Sequence, residues 1–533
     1  MEAAVQRKAA DRMDAITAFR RLIPGDGPAL STGMIDSPQR DPEPAPRWLQ
    51  AGLVVALIGY AIFVGFNFAP VAAGADSGGY LNSARLLAQG KLATPLRALD
   101  EYQPVNSWAH TPLGFLEVTS EKMLKPAYPV GLPLHDAAAG LIAGWFWGPL
   151  FVGVGAALAA VALVYCCLRE LRVSPTLAAA GAAALAVSPL LLFTSFTPLS
   201  DTLATAWCAF AFLAALKSAR GGSWGWAVAC GAAFSVAVLV RPTNFILLPV
   251  LVLVLRPWAG WLWAGVGAVP GAIVNGLYNH AMYGGAFKSG YGPIFEIFKA
   301  EHFGPSLANY RETLPLALPV MFLAPLLLPL LPWRRWPREY GACVLWALLF
   351  LVFYAFYEFT QQAWWFLRFI LPAFPALIIL SVGGIEAAVS RAPDRWRTGL
   401  RIAAAALVVL GSTRAAVSLA QERHLMLQKE YQMPYVAVCH WARDHMPAGS
   451  LVACMQTSSA FYYYTTFPVL RWDAIDPPDF ARLLTALQKS GRSFYAVLFP
   501  FESDDPRWLA LPGKREKVAE VKGVGVWKFS AAP

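Results

Sequence analysis

Long apolar runs alternate with short polar stretches over most of the chain. The first run covers residues 48–70. Others cover 149–168, 175–194, 202–217, 224–240, 243–255, 258–279, 315–332, 340–358, 366–386 and 398–418. A helix rises 1.5 Å per residue, so about 20 apolar residues cross a hydrocarbon core. The pattern predicts an all-α polytopic membrane domain over 48–419, with about eleven transmembrane helices, some of them short. A long polar loop, 71–128, follows the first span. The prolines at 126, 129 and 133 break any membrane helix there, so 130–147 reads as a short helix lying against the membrane.

Past residue 420 charges rise and the long apolar runs stop. Residues 451–455, 494–498 and 524–529 read as strands, and 434–445 and 480–489 as helices. These predict a small C-terminal α/β domain over 420–533, with no Gly-rich phosphate loop and no metal-ligand cluster. At the other end, residues 1–47 form a polar, basic, Pro-rich tail carrying Arg7, Lys8, Arg12, Arg20 and Arg21. Its first half fits a surface helix and 37–46 reads as disordered. The tail lacks the early apolar core of a cleavable signal.

Composition narrows the class. The chain is 57% hydrophobic and only 14% charged, which excludes an ordinary soluble globular protein. Its net charge of +10 comes from basic residues that flank apolar runs. They fit a topology signal and contact with anionic lipid headgroups; no nucleic-acid partner is expected. With the N-terminus in the cytoplasm, alternation places Arg169, Arg172, Lys217, Arg220 and Arg256 inside. It does the same for Arg334, Arg335, Arg338, Arg391, Arg395, Arg397 and Arg401. Asp76, Asp201, the 280–314 loop and the C-terminal domain then fall outside, in a multi-pass protein of the plasma (inner) membrane. Of seven Cys, Cys439 and Cys454 lie in the C-terminal region. An extracytoplasmic setting would permit a disulfide there, which spacing alone does not establish.

Charges that interrupt apolar segments are costly and point to function. Asp76 lies in Ala-Gly-Ala-Asp-Ser-Gly-Gly-Tyr-Leu, just after the first span. Its small neighbours would let a substrate approach the carboxylate, although a helix N-cap explains an Asp in this setting as well. Arg241 and Arg368 interrupt apolar sequence near the same face as Asp76. Each fits either snorkelling to lipid phosphate or a functional anion site. Asp201 and Ser200 open a span, where an N-cap role is the stronger reading. Lys288 sits in a Gly- and aromatic-rich loop suited to sugar or phosphate contact. Glu358 and Gln361 read as interfacial. His135, His280 and His302 have no metal spacing.

Taken in order, several stretches resemble the GT-C membrane glycosyltransferases that use polyprenyl-phosphate sugars, the protein O-mannosyltransferase and lipid A aminoarabinose transferase relatives. They are Ala-Asp-Ser-Gly-Gly-Tyr at 75–80, Lys-Pro-Ala-Tyr-Pro-Val-Gly-Leu-Pro-Leu at 125–134 and Pro-Leu-Ser-Asp-Thr-Leu at 198–203. Val-Arg-Pro-Thr-Asn at 240–244, the segment 277–291 ending in Gly-Gly-Ala-Phe-Lys-Ser-Gly-Tyr, and Leu-Arg-Phe-Ile-Leu-Pro-Ala-Phe-Pro at 367–375 complete the set. The resemblance implies that Asp76 is catalytic, although relatives often carry Asp-Glu where this chain has Asp76-Ser77. It implies that Arg241, Arg368 and, as a softer match, Lys288 hold the donor phosphate. Tyr80, Tyr128, Asp201 and Tyr291 become candidate substrate contacts.

The expected reaction is inverting sugar transfer from a polyprenyl-phosphate donor to an acceptor hydroxyl on a glycan, lipid or protein, at the outer face. Asp76 would act as general base and the arginines would stabilise the leaving phosphate. No metal or cofactor is expected. A transporter or flippase of lipid-linked sugars would need a polar path that the apolar runs hardly provide. An O-antigen polymerase or ligase would need a more basic late loop than 280–314.

Overall fold

A computed structural model of the chain describes residues 44–97, 102–103, 105–117, 121–255 and 258–530. The described residues form one compact unit. The tail readings at Arg7, Lys8, Arg12, Arg20 and Arg21, and the topology reading at Arg256, fall outside the described residues.

The chain is a multi-pass, mostly helical membrane protein. Helix α1 (Arg47–Asn67) is peripheral, with Val64 its one buried residue. Helix α2 (Asp76–Ala88) opens the long loop, whose base is closed by the antiparallel pair β1 (Thr94–Pro95) and β2 (Met123–Leu124). Next comes α3 (Gly131–Glu170), which breaks at Gly144, with φ of 83°. The chain doubles back there: a Cβ on Gly148 would lie 2.6 Å from the Gly140 nitrogen. The expected separate helix at 130–147 is thus the first arm of this bend. Helices α4 (Pro175–Ala186) and α5 (Pro189–Ser195) meet at 59°. The break falls at Ser188-Pro189, where proline removes a backbone donor.

Helix α6 (Ser200–Gly221) runs through the centre, with 83% of its apolar window buried. It packs on α7 (Trp224–Val240), which leads through the 3₁₀ turns Pro242–Leu247 into α8 (Leu248–Val254). Helix α9 (Ala259–Tyr283) lies tightly against α7. A Cβ on Gly231 would sit 1.7 Å from the Ala264 carbonyl oxygen, and one on Gly267 2.0 Å from that of Val228. Only glycine permits such an approach, and small residues let membrane helices associate through close backbone packing. Then follow α10 (Phe303–Ala317), α11 (Pro337–Ala355), the 3₁₀ segment Trp364–Ala373, α12 (Phe374–Val389) and α13 (Asp394–Glu422).

Six described helices are long and apolar enough to cross a membrane, or eight if each of two bent pairs counts as one span. The difference from about eleven has physical causes. The runs at 175–194 and 315–332 are bent, those at 224–240 and 243–255 are short, and the run at 258–279, although it forms the 25-residue α9, is not among the six.

The C-terminal domain is built of α14 (Gln428–His445), β3 (Leu451–Ala453), α15 (Ser458–Tyr464), β4 (Val469–Leu470), α16 (Pro477–Ser490), β5 (Phe494–Leu498), β6 (Lys514–Val521) and β7 (Val524–Ser530). The sheet order is β4-β3-β5-β7-β6, with β3 parallel to β4 and β5, and β7 antiparallel to β5 and β6. Side chains of β5 alternate between two cores. Phe494, Ala496 and Leu498 join Trp472, Phe480 and Trp508 on one face, and Tyr495 and Val497 join α14 on the other. Lys522 and Gly523, with φ of 48° and 81°, make the two-residue turn between β6 and β7. Cys439 and Cys454 are buried free thiols in the same core.

Candidate active site

The chain leaves α1 in extended backbone and turns at Gly74, with φ of 55°, into α2. Asp76 occupies the first turn of α2 without capping it, for no side chain caps this helix. Both carboxylate oxygens are engaged elsewhere. Tyr128 Oη donates to Oδ1 at 2.6 Å and Arg368 Nη2 donates to Oδ2 at 2.5 Å. A third of the Asp76 side chain stays exposed, while the Arg368 side chain is 9% exposed. Desolvation raises the Asp76 carboxyl, but Arg368, the Tyr128 hydroxyl and the more distant Arg241 together hold it below the ordinary carboxylate range. Burial, and then the Asp76 charge, push the Tyr128 hydroxyl well above its usual value, so it remains a donor.

Two further groups complete the charge arrangement. Asp201, in the first turn of α6, is 2% exposed and likewise caps nothing. Its Oδ1 lies 2.9 Å from Arg241 Nη1, and its Oδ2 lies 4.0 Å from Arg368 Nε. Asp201 therefore pairs with both guanidinium groups, which corrects its reading as an N-cap. Arg241 ends α7, and its guanidinium stands 4.7 Å from the Phe369 ring centre; that of Arg368 stands 5.1 Å from the same ring. Arg241 Nη1 and Arg368 Nε are buried and have no aligned hydrogen-bond acceptor. Asp201 faces both atoms, so a ligand oxygen brought beside them would share their N–H groups with its carboxylate.

Tyrosines line the approach. Tyr80 stacks beside Tyr128 with ring centres 4.7 Å apart and donates to Ser200 Oγ at 2.9 Å. Tyr291 stands edge-on to Tyr128 at 6.1 Å and is 42% exposed. The structure thus brings Asp76, Arg241, Arg368, Asp201, Tyr80, Tyr128 and Tyr291 into one locus. Lys288, three residues before Tyr291, is exposed and enters no ion pair among the described residues.

The small residues after Asp76 serve packing more than access. A Cβ on Gly79 would lie 2.4 Å from the Tyr128 ring, and one on Gly78 would lie 2.3 Å from Ser459 Oγ. Sequence reading gave no weight to Ser459, to Asn82 or to Asp136. Asp136 alone carried a signal, as an isolated acid in the apolar stretch Leu-His-Asp-Ala-Ala-Ala.

A family model described as dolichyl-phosphate-mannose-protein mannosyltransferase matches residues 129–274. No curated protein sequence matches. Among solved structures, ArnT from Cupriavidus metallidurans in the apo state aligns at a TM-score of 0.57 and 17% identity, over 90% of this chain and 98% of that one. ArnT bound to undecaprenyl phosphate aligns at 0.55 and 15%, over 90% and 99%. The fold is that of the GT-C glycosyltransferases. The mycobacterial arabinofuranosyltransferase AftD (a mutant, R1389S) shares it at a TM-score of 0.53 and 16% identity, over 92% of this chain and 42% of AftD. The matched segment, 129–274, holds Asp201 and Arg241, whereas Asp76 and Arg368 lie on either side of it.

Proposed function

We propose that the chain is a membrane glycosyltransferase that moves a sugar from a polyprenyl-phosphate donor to a hydroxyl of a glycan, lipid or protein acceptor. The reaction inverts the anomeric carbon and takes place on the membrane face away from the cytoplasm. One observation carries this reading: the partly exposed Asp76 carboxylate pairs with buried Arg368, and Arg241 stands with Arg368 beside the same Phe369 ring. The ArnT structure that holds undecaprenyl phosphate has this fold, which supports a lipid-phosphate donor.

In the proposed step the acceptor oxygen forms a bond to the anomeric carbon as the carbon–oxygen bond to phosphate breaks. The electron pair leaves with the polyprenyl phosphate, and the hydroxyl proton passes to Asp76. Arg241 and Arg368 meet the charge that develops on the leaving phosphate. Drawing Arg368 toward the phosphate also loosens its hold on Asp76, which makes the carboxylate a better base as the donor settles. Tyr80, Tyr128 and Tyr291 offer faces and hydroxyls to the sugar, and Lys288 lies on a loop from which it can reach the headgroup. The test is transfer of labelled sugar from a polyprenyl-phosphate donor in detergent. Wild type should form a covalent product, and Asp76→Asn should form none while inserting normally. Full activity in Asp76→Asn overturns this mechanism; lipid movement without product would favour a transporter.

A further inference from the structure

The helix that carries Asp76 is weak by sequence at the end where it matters. Gly78 and Gly79 each cost about 1 kcal/mol of helix propensity relative to alanine. What holds that end is a side chain from the C-terminal domain. Ser459 of α15 packs on bare Gly78 so closely that a Cβ there would lie 2.3 Å from Ser459 Oγ and 2.7 Å from its Cβ. One turn along α2, Asn82 Nδ2 donates to the Ser459 carbonyl and to Ser459 Oγ, both at 3.2 Å, and to Gly78 O at 2.9 Å. Ser459 is fully buried and Asn82 is 5% exposed.

Helix α15, only seven residues long, is in turn bound by α2 and the long loop. Arg85 Nη1 donates to Tyr463 O at 2.8 Å, and its guanidinium lies 3.4 Å from the centre of the Tyr463 ring. Arg97 donates to the carbonyls of Tyr462 and Thr465 at 2.9 and 2.8 Å, and Leu113 N donates to Ser458 Oγ at 3.0 Å. These groups fix α15 along its length, so Ser459 has little freedom to yield. On the opposite side Tyr128 fills the space over Gly79. The first turn of α2 is gripped between Tyr128 and Ser459.

We propose that Ser459 and Asn82 are positioning residues of the transfer reaction, through which the C-terminal domain sets the aim of Asp76. The inference rests on the transferase reading above. A displacement of about 1 Å at a reacting group can cost about 100-fold in rate, and a methyl group on Gly78 forces a shift of that size unless Ser459 withdraws.

The experiment uses the full chain with Gly78→Ala, Ser459→Gly, the two combined, and Asn82→Ala. Each is assayed for kcat and donor KM with the labelled polyprenyl-phosphate sugar, and for thermal melting. Gly78→Ala should lower kcat about 10- to 100-fold with donor KM changed less than about twofold. The double variant should recover most of that loss, because removing the serine side chain makes room for the methyl group. Asn82→Ala, which adds no bulk and so survives folding if Gly78→Ala does not, should lower kcat about fivefold at constant KM. A double variant as slow as Gly78→Ala, or Asn82→Ala at wild-type kcat, overturns the proposal. A wild-type chain that transfers no sugar would instead sink the transferase reading, and this one with it.

Discussion

Asp76 is held by three kinds of contact: a charged pair with Arg368, a neutral donor in Tyr128, and a remote charge on Arg241. Their joint effect keeps the carboxylate ionised to unusually low pH. The acid limb of kcat/KM, which reports the free enzyme, should therefore lie at lower pH than an ordinary aspartate would set. In Tyr128→Phe one donor to the anion is lost. The acid limb should move to higher pH while the rate at pH 8 changes little. An unmoved limb would mean that Asp76 is not the group whose ionisation the rate follows. Asp201 is a different case, since it faces the arginines and is almost wholly buried. Asp201→Asn leaves two buried guanidinium groups with one carboxylate between them. Breaking a buried pair costs about 3–5 kcal/mol, so both melting temperature and kcat should drop. Retention of both would show the Asp201 pairs to be incidental. The sequence marked Asp76, Arg241 and Arg368 because charges interrupting apolar runs need a reason. It hid the role of Asp201 because an acid at a helix start looks like a cap. Its partners are 40 and 167 positions away.

Broken helices bring these residues together, and the breaks were only partly legible. Pro189 marks the bend between α4 and α5, yet 175–194 reads as one unbroken apolar run, and nothing local distinguished Gly144 from the other glycines of its run. The bend in α3 creates a cavity with room for about one water molecule, lined by Leu132, Asp136, Thr194, Thr202 and Leu203 among others. Both Asp136 carboxylate oxygens are buried without a hydrogen-bond partner. A buried polar group in that condition costs stability. Asp136→Leu, which keeps the branched skeleton and makes its tips apolar, should thus raise the melting temperature by a few degrees, at about 2–4 °C per kcal/mol. Differential scanning fluorimetry in detergent reads the shift, and a fall would mean that an occupant of the cavity holds the carboxyl. The strands show the same division between local and distant information. Strand β5 was plain from its apolar run, but β6, Lys-Arg-Glu-Lys-Val-Ala-Glu-Val, is a charged edge with a register shift between Lys517 and Ala519. Its pairing with β7, not its own composition, makes it a strand.

At the scale of the whole molecule, the basic cluster around Lys217, Arg220 and Arg401 and the candidate site occupy opposite ends. Glu170 pairs with Lys217 and Arg220, Arg220 lies over Trp336, and Arg401 donates to Glu386, which also accepts from the Ser174 backbone. These contacts tie the ends of α3, α6 and α12 to the starts of α4, α11 and α13. Asp201 lies at the other end of α6, about 28 Å from Arg220 at 1.5 Å per residue, close to a hydrocarbon thickness. Basic residues prefer the cytoplasmic side, so the proposed topology has the site, and α15 which packs on α2, on the opposite side. Single cysteines test this directly, with the parent chain as the blank. Lys489→Cys, at an exposed position of α16, should react with a membrane-impermeant maleimide in intact cells. Arg395→Cys, at the exposed start of α13, should react only after the membrane is opened. The reverse pattern would place Asp76 in the cytoplasm, where nucleotide-activated sugars are at hand and a lipid-phosphate donor loses its rationale. The sidedness of these two positions therefore bears on the chemistry as much as on the topology.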